Sequence, residues 1–208
     1  MTTKNPTMRP IERAPSPPLA TVLRTPRLIL RPGRESDVPA LLRASRRNAD
    51  HLRPWSPAPP PGEVRASLTT ASKEVARDRI LWKRGTHCAF YIFLADEEAP
   101  KIIGRIVLSN IVRRVFQNAY LGYWIDRDLQ GQGYMSEAVD AVVDFAFGPM
   151  ALHRVQAAVM PRNPGSMRVL EKCGFRREGY AVRYLKIANH WEDHVIFAIT
   201  REERDERD

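Results

Sequence analysis

Seven consecutive residues, Gln130-Gly131-Gln132-Gly133-Tyr134-Met135-Ser136, carry the most pointed chemistry in the chain. They follow an apolar, strand-like run at 120–125 and open an amphipathic helix. Glycines at such a turn let backbone N–H groups converge on an anion, and the new helix adds the positive end of its dipole. A diphosphate can be held this way without any side-chain charge. A plain strand-to-helix turn uses glycine too. A Walker A loop is excluded, because Tyr134 and Met135 stand where Lys-Ser/Thr is needed. A Rossmann fingerprint lacks its third glycine, replaced by Ser136, and the next strand at 154–160 ends without the acidic residue it requires. The turn therefore points to neither a nucleoside triphosphate nor a dinucleotide.

Two other constellations invite chemistry and do not support it. Cys173 sits beside Gly174 at a helix end, where a thiolate would face the negative pole of the dipole. It reads as a small buried hydrophobe. His190 and His194 have the spacing of two zinc ligands on a helix, but 191–199 reads as a strand and no third ligand is near. No metal is expected.

The elements that position these residues follow from periodicity. Residues 27–31, 89–94, 102–108, 119–125, 154–160, 176–185 and 191–199 read as strands. Residues 37–47, behind Ser36 as cap, and 63–83 read as helices, separated by a proline-rich irregular loop at 51–62 around Trp55. Met135, Val139, Val142, Val143, Ala146 and Phe147 fall on one helical stripe. Residues 164–172 form a short helix stopped by Gly174. The order predicts a single α/β domain at 24–200, after a flexible proline-rich leader at 1–23 and before a charged, solvated tail at 201–208.

The chain has 208 residues, 43% of them apolar, enough for one domain with a full core. No apolar run approaches the roughly 20 residues of a membrane helix, and the first 20 residues lack the apolar stretch of a signal peptide. Two cysteines make no disulfide framework and suit a reducing, cytoplasmic setting. A net charge of +9 favours an anionic partner: a phosphate-rich cofactor, an acidic substrate or RNA.

The element order, together with several spaced motifs, resembles the GNAT superfamily of acyl-CoA N-acyltransferases. The motifs are Leu121-Gly122-Tyr123-Trp124-Ile125 before the Gln130-x-x-Gly133-x-Met135 turn, Asn163-Pro164-Gly165-Ser166, Leu170-Glu171-Lys172-Cys173-Gly174-Phe175, Glu178-Gly179-Tyr180 and Trp191-Glu192-Asp193-His194. Met135 replaces the family's last small residue in the turn. Within the superfamily the chain resembles the RimJ/RimL branch, the ribosomal-protein N-terminal acetyltransferases, over 23–200. The resemblance implies a mixed, mostly antiparallel sheet of about seven strands with flanking helices and a splayed strand pair that holds coenzyme A.

The resemblance further implies acetyl-CoA as cofactor. Its diphosphate would lie on the N–H groups of Gln132, Gly133, Tyr134, Met135 and Ser136, with Gln130 and Gly131 adjoining. Its pantetheine arm would pair with Tyr123, Trp124 and Ile125, and an N–H near Trp124 or Ile125 would serve the oxyanion. Asn163 would reach the pantetheine amides, or simply cap its helix. Glu178 would be the base and Ser166 the acid over the sulfur, with Tyr180 or Tyr184 as substitutes. Trp55, Asn110, Phe116, Asn118, Tyr123, Tyr184 and Trp191 would wall the acceptor pocket, and His190 or His194 could line it as well.

The acceptor expected from this branch is a protein N-terminal α-amine, that of alanine or serine on a ribosomal protein. Two alternatives stand beside it: an acetylator of a small amine (antibiotic, polyamine or metabolite), and a non-catalytic module that binds CoA or the ribosome. Basic clusters at 43–47 and at Arg113 and Arg114 support ribosome association. The protein is expected as a monomer or homodimer with no membrane contact.

Overall fold

The computed structural model describes residues 16–97 and 101–207. In chain order the elements are β1 (Leu23–Arg24), β2 (Leu28–Arg31), α1 (Val38–Arg47), α2 (Ala49–Leu52), α3 (Leu68–Lys83), β3 (Cys88–Leu94), β4 (Gly104–Val112), β5 (Asn118–Ile125), α4 (Tyr134–Phe147), β6 (Arg154–Val159), α5 (Pro164–Lys172), β7 (Arg176–Ile187), β8 (His190–Thr200) and α6 (Arg201–Asp205). The strands form one eight-stranded sheet in the order β1-β2-β3-β4-β5-β6-β8-β7. About seven strands were expected; β1 adds one, and at two residues it is too short to show an alternating pattern. Among the described residues no helix is long and apolar enough to cross a membrane.

Every neighbouring pair is antiparallel except β5 and β6. Those two run parallel and share three rungs: Asn118 with Arg154, Ala119 with Val155 and Tyr120 with Gln156. Beyond Tyr120 the strands part. β5 continues to Ile125 against β4 alone, and β6 continues to Val159 against β8 alone.

Apolar residues cover both faces of the sheet. Met135, Val139, Val142, Val143, Ala146 and Phe147 of α4 and Leu170 of α5 pack on Leu28, Phe90, Ile106, Val155, Ala157 and Phe197. Trp82 joins this cluster edge-on to Phe90, centroids 5.0 Å apart. On the other face, Val38 and Leu41 of α1 and Ala71 and Val75 of α3 pack on Tyr91, Phe93 and Ile102, with Trp124 alongside.

Several boundaries differ from the sequence expectation. Asp37, not Ser36, organises the start of α1: its carboxylate accepts from Arg34 N at 2.7 Å and pairs with Arg31 at 2.6 Å. α3 starts at Leu68 rather than 63, because the Ser67 hydroxyl caps it by accepting from Thr70 N. The segment expected as loop at 51–62 contains the end of α2 and a 3-10 turn at Arg53–Trp55. The end of the leader is docked: Trp82 Nε1 donates to Pro17 O at 2.6 Å and Ser16 Oγ to Lys83 O at 3.2 Å. The rest of the leader, 1–15, lies outside the described residues. The expected solvated tail is α6, started by a capping box between Thr200 and Glu203 and tied down by Arg201 Nη2, which donates to Phe147 O and Leu152 O.

Candidate active site

The glycine turn has the geometry of an anion cradle. Gly131 and Gly133 have φ of +74° and +82°, a region that L side chains avoid. Gly133 is the N-cap of α4, so the N–H groups of Tyr134, Met135 and Ser136 point out of a fourteen-residue helix with no partner inside it. The acid of this first turn, Glu137, is turned away: it accepts from Thr25 Oγ1 at 2.6 Å and pairs with Arg27 at 2.6 Å. Arg27 also donates to Gln132 O at 3.0 Å and lies over the Tyr134 ring.

The strand end leading into the turn is fixed from α1. Asp126 is almost fully buried; its Oδ2 accepts from Arg47 Nε at 2.6 Å and Asn48 Nδ2 at 3.3 Å. Asn48 Oδ1 accepts from Arg127 N. Burial pushes the Asp126 carboxyl up, but these donors outweigh it and hold the group below the usual carboxylate range. Gln130 meets His51 at 3.1 Å, and Gln132 Nε2 donates to Asp128 O. The donor set suits a diphosphate: convergent N–H groups, a dipole end and no free carboxylate in the helix's first turn.

The parted strands supply the slot next to this cradle. In an antiparallel ladder alternate residues turn both backbone groups to the same neighbour. Asp126 N donates to Ile103 O at 2.7 Å, toward β4. Tyr123 and Ile125 therefore turn theirs into the gap, joined by the Leu121 carbonyl, since the Leu121 N–H closes the last rung on Gln156; Trp124 turns to β4 and is not an oxyanion donor.

Tyr123 crosses this gap. Its hydroxyl lies 2.9 Å from Ser166 Oγ and donates to Ser166 O at 3.1 Å. Burial, the largest effect, raises the Tyr123 phenol above its ordinary value of 10. Asn163 caps α5 by accepting from Ser166 N through Oδ1, which leaves its Nδ2 for a ligand.

On the opposite face of the sheet, Tyr120 stands at the last rung. Tyr184 folds over from a β7 irregularity between Ala181 and Leu185, where Arg183 has φ of +49°. Its hydroxyl faces Tyr120, and burial followed by that neighbour raises its pKa. Its ring lies edge-on to buried His194, centroids 5.7 Å apart. Trp55 lies at the mouth under Arg162 (4.8 Å to its centroid), and Arg162 Nη2 donates to Glu192 Oε1 at 2.9 Å.

Other expected residues fall elsewhere. Trp191 is 62% exposed and alternates with His194, on the face of Val195 and Phe197, so it does not wall the acceptor side. Asn110 is exposed in the β4 bulge at φ +48°, beside the closed end of the β5 and β6 seam. Phe116 is exposed in the turn before β5, and Asn118 is buried with both side-chain polar atoms unpartnered. Tyr180 donates to Asp193 away from the slot.

Glu178 is held by two arginines. Oε1 accepts from Arg154 Nη1 at 2.8 Å and Arg176 Nη2 at 2.7 Å, and Oε2 from Arg154 Nη2. The hydrogen bonds from Arg154 are the largest of several effects holding its carboxyl below the usual range. A carboxylate so engaged is a weak proton acceptor. Cys173 is fully buried, and burial pushes its thiol up to about 12. Among the described residues no cluster of three or more His, Cys, Asp or Glu is placed to hold a metal ion.

Tyr120, Gln156 and Arg162 are parts of the site that sequence reasoning missed, while of the two histidines named for the pocket it is His194 that lies against Tyr184. Arg162 precedes Asn163, so it was within reach of the motifs. Tyr120 and Gln156 matter only because pairing stops there.

This arrangement defines an acyl-transfer fold. The GNAT acetyltransferase domain family matches residues 27–176, and the chain belongs to it; it is an N-acetyltransferase, a class that draws its acetyl group from acetyl-CoA. It is 36% identical over 178 residues to the ribosomal protein uS5-alanine N-acetyltransferase of Escherichia coli, covering 86% of this chain and 90% of that one. It is 50% identical over 110 residues to a probable N-acetyltransferase, YjcK, of Bacillus subtilis, a match that covers 53% of this chain and 60% of that protein. The structure of Mycobacterium smegmatis RimJ in complex with CoA-disulfide superposes with a TM-score of 0.80 at 32% identity, covering 88% of this chain and 87% of that one.

Proposed function

We propose that this protein transfers the acetyl group of acetyl-CoA directly to a protein N-terminal α-amine, with alanine or serine of a ribosomal protein as acceptor. The observation that carries this is the parting of β5 and β6 after Tyr120 and Gln156, beside the N–H cradle of Gly133 to Ser136. The uS5-alanine specificity of the Escherichia coli relative supports the choice of acceptor.

Acetyl-CoA supplies a thioester, whose carbonyl carbon an amine attacks. The cradle binds the diphosphate, and Asn163 Nδ2 and the gap-facing groups of Ile125 and Tyr123 bind the arm. The N–H of Tyr123, the first beyond the last rung, donates to the carbonyl oxygen as it gains charge. Ser166, backed by the Tyr123 hydroxyl, donates a proton to the departing sulfur from the α5 side, and the proton that the amine sheds as its bond to carbon forms passes through solvent water, which restores Ser166. Tyr184 and Tyr120 orient the amine from the other side. An α-amine has a pKa of about 8, so a useful fraction is neutral near pH 7. No enzyme nucleophile is required.

Intact-mass spectrometry tests the reading. The protein and acetyl-CoA are incubated with peptides headed by free alanine or serine, beside a blocked peptide with only lysine amines, spermidine and an aminoglycoside. A gain of one acetyl group on the N-terminal peptides alone supports it. A gain on a small amine alone keeps the enzyme class and replaces the acceptor. CoA binding with no acetylation anywhere favours a binding module.

A further inference from the structure

A second cavity adjoins the reacting face, where Tyr123 and Trp124 bound it, and its other walls have no part in the roles above. It holds about 410 Å³ between α3 and strands β4 and β5, walled by Arg77, Leu81, His87, Arg105, Ser109 and Gly122. Gly122 stands two residues beyond Tyr120, and a Cβ built on it meets nothing within 4 Å, so the wall is open toward the seam. Two residues of extended chain span about 7 Å. A peptide whose amine reaches the last rung therefore carries its second or third side chain over this cavity.

The charges around the cavity are asymmetric. Asp78 is 3% exposed, and its Oδ2 accepts from Arg105 Nη2 at 2.6 Å and from the buried Tyr91 hydroxyl at 3.4 Å. Glu74 pairs with Arg105 Nε at 3.2 Å. Both carboxylates are thus engaged by the floor of the site. Arg77 touches Asp78 only through Nη2, at 3.3 Å, and its side chain is 60% exposed. His87 sits between them with its Nε2 buried and without a hydrogen-bond partner, 3.8 Å from Asp78 Oδ1. A buried polar atom without a partner is uncommon in a folded protein. Burial keeps this imidazole neutral at pH 7, with a pKa of about 4, so its Nε2 can carry a hydrogen and donate.

We propose that this cavity is a side-chain subsite for the acceptor, taking a carboxylate at the second or third residue of the peptide on Arg77 and His87. The inference rests on the peptide-amine reading of the active site. Arg77 swings from its single contact with Asp78 to a two-pronged grip on the ligand, and the His87 Nε2–H satisfies a remaining carboxylate oxygen. An aspartate or glutamate thereby gains donors that a lysine or an amide does not.

Competition among alanine-headed peptides tests it. Peptides with Glu, Gln or Lys at the second position, and another set varied at the third, are compared by kcat/KM. The wild type prefers Glu over Gln by roughly tenfold at one of these positions, the scale of a partly exposed charge-assisted pair. Arg77→Ala and His87→Asn each bring the Glu peptide down to the Gln rate and leave the Gln peptide unchanged, which shows an intact fold. Arg77→Glu turns the preference toward Lys. Equal rates in the wild type, or a preference that survives Arg77→Ala, overturn the inference. If the wild type acetylates no peptide, the peptide-amine reading itself fails, and glutarate then judges the subsite: a shifted His87 ring signal in NMR that Arg77→Ala abolishes supports a carboxylate site, and an unmoved signal removes it.

Discussion

The Tyr123 hydroxyl reaches from β5 across the gap to Ser166 Oγ on α5, 2.9 Å away. Neither group ionises near neutrality, since burial raises the phenol still further. The pair can hold a hydrogen at the slot over the whole working pH range. Ser166→Ala should lower kcat by about 10²-fold, the lower end of what general acid catalysis contributes. The KM for acetyl-CoA should stay near wild type, because the cradle is untouched. Free thiol release followed against acetyl-CoA concentration checks both constants. An unchanged kcat would remove Ser166 from the proposed chemistry.

Glu178→Gln should leave kcat within about threefold of wild type, because the carboxylate is already claimed by Arg154 and Arg176. The change should instead appear in stability, by less than about 1 kcal/mol for pairs this exposed. Its folded pKa lies below the ordinary 4.5. The stabilisation is therefore present above pH 4.5 and fades as the pH falls through the folded value. Urea midpoints at pH 7 and pH 3.5 read this difference. A collapse of kcat at pH 7 with the midpoint unmoved would restore Glu178 as the base.

Gly133→Ala should strain the cradle. A side chain at φ +82° costs about 1–2 kcal/mol, and its Cβ would sit 3.4 Å from Arg27 Nη2. The dissociation constant for CoA, measured calorimetrically, should rise by tenfold or more, as the N–H groups of the turn lose their common focus. Gly122→Ala is the control. Its Cβ meets nothing, and CoA affinity should hold.

His87 should make the fold acid-sensitive. Its pKa falls from 6.5 to about 4 on folding, chiefly through burial. Between those values the unfolded chain binds the extra proton, so stability rises with pH across the window 4 to 6.5 and the penalty is complete below 4. The full effect is bounded at about 3 kcal/mol. His87→Gln should flatten the pH dependence of the urea midpoint in the upper half of that window, where most carboxylates are already ionised.

How much of this was legible depends on the range of the interactions. α5 runs over Pro164–Lys172 as read, because its signals are local: the Asn163 cap, Pro164 at the first position and Gly174 at φ +82°. The stripe of α4 and the alternation of β6 were equally local. Tyr184 could be named but not placed, since its approach to Tyr120 depends on a β7 irregularity at Arg183 that strand periodicity hides. Glu178 could be named without its partners for the same kind of reason: Arg154, which claims its carboxylate, stands 24 residues earlier and meets it only through the sheet order β6-β8-β7. The Ser36 cap failed because Glu35–Asp37 is a 3-10 turn whose Asp37 carboxylate reaches back to Arg34 N and pairs with Arg31, and α1 continues from it without a side-chain cap.

The three-rung seam has a thermodynamic consequence. The backbone groups of Tyr123 and Ile125 that face the gap, with the Leu121 carbonyl, have no strand opposite them, so the folded chain carries an unfinished ladder at its centre. A donor molecule lying there completes that ladder and becomes, for as long as it is bound, part of the fold's own cohesion. Melting temperature should then climb with the logarithm of CoA concentration, and amide exchange should slow first at Tyr123 and Ile125, well before any acceptor arrives.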